Sequence, residues 1–314
     1  MSVVEPTEAG GRMPDGAVEQ LVVVPRRHYG IWIGTALALL VAVAIIRALA
    51  TNPAFDWNVA FGYLFHPSIM RGLGNTLLLT VVIMACAIVI GTVIAIMRVS
   101  PSTVLQSFAS AYVWFFRGVP ALIQLIFWFN LSLLFRTVSL SLPVVGTIFS
   151  VKTNDVMTPF VAAVVALSLC EAGYLAEIIR AGIKSVPHGQ SEAAGALGMS
   201  YRHVLWRIIL PQAMRFIVPP TGNEAISLLK MTSLVTFIAV DDLFYTAQSI
   251  YARTFETIPL LIVVAFWYLF VVTVMSFGQH FIEQYYGRSD RREDNLIDRL
   301  LRNTGLLRHP GAGA

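Results

Sequence analysis

Hydrophobic residues along this chain fall into six long, nearly unbroken runs. They form neither the stripe of a water-soluble helix nor the alternation of a half-buried strand. The runs are roughly Ile31–Ala50, Thr76–Met97, Ala111–Phe135, Thr158–Ile179, Phe216–Val240 and Ile258–Phe281. A helix needs about 20 apolar residues to cross a bilayer. The second and sixth runs hold no Asp, Glu, Lys or Arg, and the first holds only Arg47 near its end. The third, fourth and fifth carry charge further in. The pattern predicts an all-α integral membrane protein of about six transmembrane helices.

Composition agrees. Only 13% of residues are charged and 56% are hydrophobic, against about a quarter charged in a soluble domain. With the N-terminus inside, fifteen of the 22 Lys and Arg fall in cytoplasmic segments and five in outside ones. That bias sets the orientation, with both termini cytoplasmic. The basic excess is therefore a topology signal, and no nucleic-acid partner is expected. Cys86 and Cys170 fall inside spans, as small apolar fillers.

Four regions follow. Residues 1–28, rich in Gly, Pro and charge, read as a disordered cytoplasmic tail. Residues 29–75 hold the first span and an outside loop, with Arg47 marking an uncleaved anchor. A transmembrane core spans 76–285. Gly287 is placed to end the last helix, and 286–314 form a charged cytoplasmic tail. The outside loops are too short for a folded domain, and no internal repeat is visible.

One polar passage interrupts the core on the cytoplasmic side. Pro187 and Gly189 open a short helix over about 187–198, with Glu192 placed in its first turn, where a negative charge suits the helix dipole. Ala193, Ala194 and Ala196 give it a small-residue surface. Gly198 suits the left-handed position that ends a helix, and Ser200 can cap the next. There Tyr201, Val204, Leu205, Ile208 and Ile209 follow helical spacing, with Arg202, His203 and Arg207 off the stripe. Pro211 is expected to break this helix before the chain re-enters the bilayer. An ordinary interfacial loop and a docking element for a cytoplasmic partner both fit the pattern.

The spacing Glu192-Ala193-Ala194, three residues, Gly198, nine residues, Ile208-Ile209-Leu210-Pro211 resembles the EAA motif of ABC importer permeases. "FRGVPALIQLIFW" (Phe116 to Trp128), "YLAEIIRAGIKSVPHGQSEAA" (Tyr174 to Ala194) and "ILPQAMRFIVPPTGNEAISLLKMTSL" (Ile209 to Leu234) resemble the polar amino acid branch, nearest its general L-amino acid members. The resemblance covers about Arg71 to Arg288. Met231 and Glu171 depart from many relatives, which bears on ligand preference. It implies a type I importer permease fold in a bacterial inner membrane. It also implies a coupling helix seated on a separate ATPase dimer that binds ATP and Mg, a second permease subunit (identical or different), and a solute-binding protein outside. Glu192, Ala193, Ala194, Gly198, Ile208, Leu210 and Pro211 would then carry coupling, and an amino acid would be the cargo.

The fifth run is the most polar span, with Asn223, Glu224, Lys230, Thr232 and Ser233 as candidates for the substrate path. Lys230 lies about 13 residues past Ile217, near mid-bilayer at about 1.5 Å per residue. Unpaired, it would cost about 3 kcal/mol there even on lenient scales. Glu177 and Arg180, three apart, can pair on their own helix. Glu171 then stands as the expected partner of Lys230, with Glu224 competing for the same role. Lys230 and Glu171 either hold helices in register or contact the cargo's carboxylate and ammonium. Arg117 is expected to bind helix-end carbonyls. No phosphate-binding G-x-x-x-x-G-K-[ST] loop, H-E-x-x-H, G-x-S-x-G or Cys/His cluster occurs, so no catalytic or metal site is expected in this chain. A stand-alone secondary carrier or channel is the competing class, and it would work without an ATPase.

Overall fold

The computed structural model describes residues 29–142 and 146–303. The expected tail over 1–28 and the end of the tail over 304–314 lie outside the described residues. Two units are present, Met1–Pro53 and Ala54–Ala314. The described part of the first is a single helix, α1 (Tyr29–Thr51), whose described side chains are exposed along its length. With no core of its own and 20 residues apolar enough to span, it is suited to lipid rather than water.

The second unit opens with α2 (Trp57–Leu64) and α3 (Pro67–Val99). Pro67 stands in the first turn of α3, where its missing N–H costs nothing. At 33 residues, α3 starts nine residues before the expected run and overshoots the hydrocarbon layer. Next come α4 (Thr103–Gly118), α5 (Ala121–Phe129) and α6 (Leu131–Leu134). The expected straight span Ala111–Phe135 is therefore broken, and its two main pieces bend by 99°. Pro120 explains the break: it lacks an N–H and pushes Val119 into extended backbone (ψ 131°). Gln124 then satisfies the freed helix end, its Nε2 donating to the carbonyls of Phe116 and Val119 at 2.9 Å each. Gln124 thus performs the capping expected of Arg117.

Outside the bilayer, β1 (Thr137–Leu142) and β2 (Gly146–Lys152) pair antiparallel, Thr137 opposite Lys152, with an irregularity between Leu140 and Ser141. One turn, α7 (Thr153–Val156), leads into α8 (Pro159–Lys184). Of the apolar stretch of α8, 67% is buried, against 33% in α3 and 28% in the last helix. That makes α8 the hub. Small residues permit it: Ala162, Ala163, Ala166, Ala172 and Ala176 are fully buried. A Cβ on Gly91 of α3 would sit 2.9 Å from the Leu175 Cβ and 3.1 Å from the Ala172 carbonyl, so the two helices meet backbone to backbone there.

The cytoplasmic passage is α9 (His188–Ala196) followed by α10 (Tyr201–Val204). Glu192 lies in the second turn of α9, not the first as expected, because the helix starts at His188. Pro211 does not break the chain's helix either. Residues Leu205–Ile209 widen into a π turn, with the Leu210 N–H reaching back to the Leu205 carbonyl, and α11 (Leu210–Met231) follows directly. The wider turn accommodates a ring that would clash in a regular one. Further along, Pro219 and Pro220 leave two N–H groups missing inside α11. Gln279 packs against the same stretch: its Nε2 donates to the Pro219 carbonyl at 2.7 Å, in space that Gly222 leaves open.

A 3₁₀ stretch, Thr232–Ile238, ends in the left-handed Ala239. It is followed by α12 (Leu243–Thr254) and α13 (Thr257–Asn303). The backbone stays helical through Gly287, which was expected to end it. A single glycine costs a helix only about 1 kcal/mol. Three apolar clusters hold the unit: Leu79, Ile83, Leu167 and Leu228 in the middle, Ile94, Ile179 and Ile217 on the inner side, and Ile69, Leu243, Leu260 and Val263 on the outer side.

Candidate functional site

Two separate places carry the polar chemistry of the second unit. The first is a cleft of about 430 Å³ lined from α4, α5, α8 and α11. The break after Gly118 delivers Arg117 to its rim, where the guanidinium lies over the Tyr174 ring, 5.0 Å from the centroid. This is a cation–π contact in place of the expected carbonyl contacts. Across from it, Glu171 is only 2% exposed and its Oε1 has no hydrogen-bond partner. The Glu224 carboxyl, from α11, lines the same cleft, close enough for the two acids to act on each other electrostatically. Ser227 and Met231 continue the α11 wall. A buried carboxylate oxygen without a donor is costly, so the cleft is built for something that brings one.

Lys230 does not supply it. Among the described residues the ion pairs are Arg98–Glu177 and Arg180–Glu177, and Lys230 is exposed. Lys230 is six residues beyond Glu224, about 9 Å along the helix and about 120° around it. Glu224, not Lys230, is therefore the α11 residue that faces Glu171. Asn223, Ser227 and Lys230 share one exposed stripe of α11, of which Ser227 also borders the cleft. Thr232 is fully buried, its hydroxyl donating to the Leu229 carbonyl at 2.7 Å, so it does not line the cleft. Ser233 donates to the Lys230 carbonyl. The expected Glu177–Arg180 pair is present, with Arg180 Nε donating to both carboxylate oxygens at 3.1 Å, and Arg98 from the end of α3 joins it.

The second place is the cytoplasmic passage. The Gly198 N–H donates to Gly195 and the Met199 N–H to the Ala194 carbonyl, the paired bonds of a Schellman end. Gly198 takes the left-handed conformation (φ 74°) that this end requires. Glu192, Ala193, Ala196 and Gly198 are exposed. Ala194 is 2% exposed and faces the chain's own body, which removes it from the outward surface expected of it. Leu197 is 82% and Trp206 66% exposed: apolar groups stand open beside the motif on the cytoplasmic side. Gln212 Nε2 reaches the Gln190 side chain at 3.4 Å, tying α9 to the base of α11. Ile208 and Leu210 are half-buried and Pro211 is exposed at that junction.

Residues 87–286 match the family described as "binding-protein-dependent transport system inner membrane component". The chain belongs to that family. It is a multi-pass permease subunit of the inner membrane. Relatives of the transport component are similar over most of their length. The arginine transport system permease protein ArgU of Corynebacterium glutamicum is 39% identical over 269 residues, 85% of this chain and 84% of that protein. The L-cystine transport system permease protein TcyB of Bacillus subtilis is 36% identical over 76% of this chain and 94% of its own. A crystal structure of an amino acid ABC transporter with histidines superposes with a TM-score of 0.62 at 32% identity, covering 73% of this chain and 98% of that one. The inward-facing MetNI methionine transporter, at 19% identity and a TM-score of 0.54, shares the fold. The architecture is that of a type I importer permease.

What the sequence hid was the role of Arg117 and Tyr174. The charge in the third run, immediately before Gly118-Val119-Pro120, was the available signal: a cation beside a helix-breaking proline sits at a bend, where it faces a cavity rather than lipid.

Proposed function

We propose that this permease subunit passes an amino acid with a cationic side chain through the Arg117–Glu171–Glu224 cleft into the cytoplasm. Arg117 faces the cargo's carboxylate, and the two carboxyls take its ammonium and side-chain cation. The observation that carries this reading is the Glu171 Oε1: buried, without a donor, and beside a second carboxyl. A cargo with two cationic groups gives each carboxyl a partner, whereas a neutral amino acid brings only its ammonium. The relative named for arginine transport supports the same cargo class.

Work is supplied from outside this chain. A partner ATPase dimer, carrying ATP and Mg, docks on α9 through Glu192, Ala193 and Gly198, and covers the exposed Leu197. A second permease subunit, a copy or a relative, completes the path, and the exposed Asn223–Ser227–Lys230 stripe of α11 is suited to line it. A solute-binding protein delivers cargo on the outer side.

The test is uptake into proteoliposomes holding the complete transporter, with labelled L-arginine, L-lysine, L-glutamine and L-glutamate. Arginine and lysine should be taken up and compete with each other, and Glu171→Gln should lower their uptake about tenfold or more, as loss of a buried charge-assisted contact does. Preferential uptake of glutamate, or arginine uptake unchanged in Glu171→Gln, would overturn the cargo assignment. Uptake that persists without the ATPase would return the stand-alone carrier.

A further inference from the structure

A second polar cleft, of about 410 Å³, lies on the outward side between the first turns of α3 and the length of α12. Three charges line it: Arg71 from α3, Asp241 from the loop before α12, and Arg253 from the last turn of α12. All three are exposed, and none makes an ion pair or a side-chain hydrogen bond among the described residues. Opposite charges sharing one cleft would ordinarily close on each other. Here they stand unpaired.

The scaffold around them is short and well bonded. Asn75 Nδ2 donates to the Asp241 carbonyl at 2.7 Å, and the Thr76 hydroxyl accepts from the Leu243 N–H at 3.0 Å. A Cβ on Gly72 would sit 2.8 Å from the Thr246 Oγ1 and 2.9 Å from the Asp242 carbonyl. The first turns of α3 and the start of α12 are thus pinned together within the cleft that Arg71 and Arg253 line. Concave sites with few, convergent polar groups and fixed walls are where small ligands bind.

We infer that this outer cleft is a second, weaker binding site for an α-amino acid zwitterion, with Arg71 and Arg253 taking the carboxylate and Asp241 the ammonium. An arginine fork matches a carboxylate in two parallel hydrogen bonds, and only a ligand carrying both signs satisfies all three side chains. The site stands on the outer side, before the central cleft, so it holds cargo ahead of passage. The inference rests on the amino-acid reading above.

The experiment uses the complete transporter in lipid nanodiscs, without its solute-binding protein, in the Glu171→Gln background that disables the central cleft. L-arginine is the probe, followed by saturation-transfer NMR. Binding should persist in that background and weaken at least tenfold on adding Arg71→Gln, Arg253→Gln or Asp241→Asn. The methyl ester and the Nα-acetyl derivative of arginine should each compete at least tenfold less well. All three positions are exposed, and co-purification with the ATPase confirms assembly of the variants. Absence of L-arginine binding in the Glu171→Gln background overturns the inference, while arginine uptake by the wild type then leaves the cargo reading standing. Unchanged binding in the outer variants, combined with a higher concentration of solute-binding protein needed to stimulate ATP hydrolysis, also overturns it: the cleft would then serve a receptor carboxylate.

Discussion

Arg117 stands over the ring of Tyr174, 5.0 Å from its centroid, at the rim of the cleft that holds Glu171. The ring fixes the cation's direction without neutralising it. Replacing Tyr174 by Phe keeps the π face and should leave uptake near wild type. Tyr174→Ala removes an interaction of about 0.5–2 kcal/mol. It should raise the cargo concentration for half-maximal uptake by about 2- to 30-fold, measured in proteoliposomes. Equal losses in both variants would show that the hydroxyl, not the ring, is what matters.

Gly198 makes a different kind of demand. A Cβ there would meet no atom within 4 Å, so the cost of substitution is conformational alone, set by φ 74°. Gly198→Ala should therefore cost about 1 kcal/mol locally, and Gly198→Asn less, since Asn tolerates the left-handed region. Membrane insertion should be normal in both. Cargo-stimulated ATP hydrolysis should fall in the order Gly, Asn, Ala, Val, and a Val variant with full stimulation would count against α9 as the coupling element.

Much of this was readable from residue order alone. The runs that became α1, α3, α8 and α13 were visible because lipid-facing helices need uninterrupted apolar length. The end of α9 was visible because glycine suits its left-handed conformation best. That Glu224 rather than Lys230 neighbours Glu171 was not recoverable. Distance along a span gives depth, but azimuth depends on where α11 starts and how the π turn rotates it, and neither is written in the local pattern. The 99° bend was signalled by Pro120, yet a hydropathy run averages across a proline and reads one span where there are two pieces.

Glycines within α3 separate packing from propensity. A Cβ at Gly91 would press on the backbone of α8, whereas one at Gly74 meets nothing within 4 Å. Gly91→Ala should lower thermal stability, by about 1–3 kcal/mol for an overpacked contact. Gly74→Ala should raise it by a few tenths to about 1 kcal/mol by removing backbone freedom. Melting of the detergent-solubilised protein, followed by loss of monodispersity, distinguishes the two signs.

Asp242 predicts a pH effect outside the membrane. It is fully buried, its Oδ1 accepts from the Tyr245 N–H at 2.8 Å, and burial pushes its carboxyl up from 3.8 to about 6. The folded state therefore holds a proton that the unfolded chain has released between pH 4 and 6. Stability should fall as pH rises through that window and stay lower above it, by up to about 3 kcal/mol at 1.36 kcal/mol per unit. Asp242→Asn keeps the helix cap and should melt higher than wild type at pH 7 and equally at pH 4. Parallel melting curves of the two across pH 4–7 would remove Asp242 as the cause.

The paired prolines of α11 have a mechanical meaning. A rod missing two consecutive rungs is weakest there, and Pro219–Pro220 lie between the cytoplasmic elbow and Glu224. On the proposed coupling, force entering at the elbow would meet this soft joint before it reached the cargo, and Gln279, leaning in from α13, would act as its splint. A flexure at that joint would swing Glu224 relative to Glu171, so the spacing of the two acids would become the quantity that a nucleotide cycle sets.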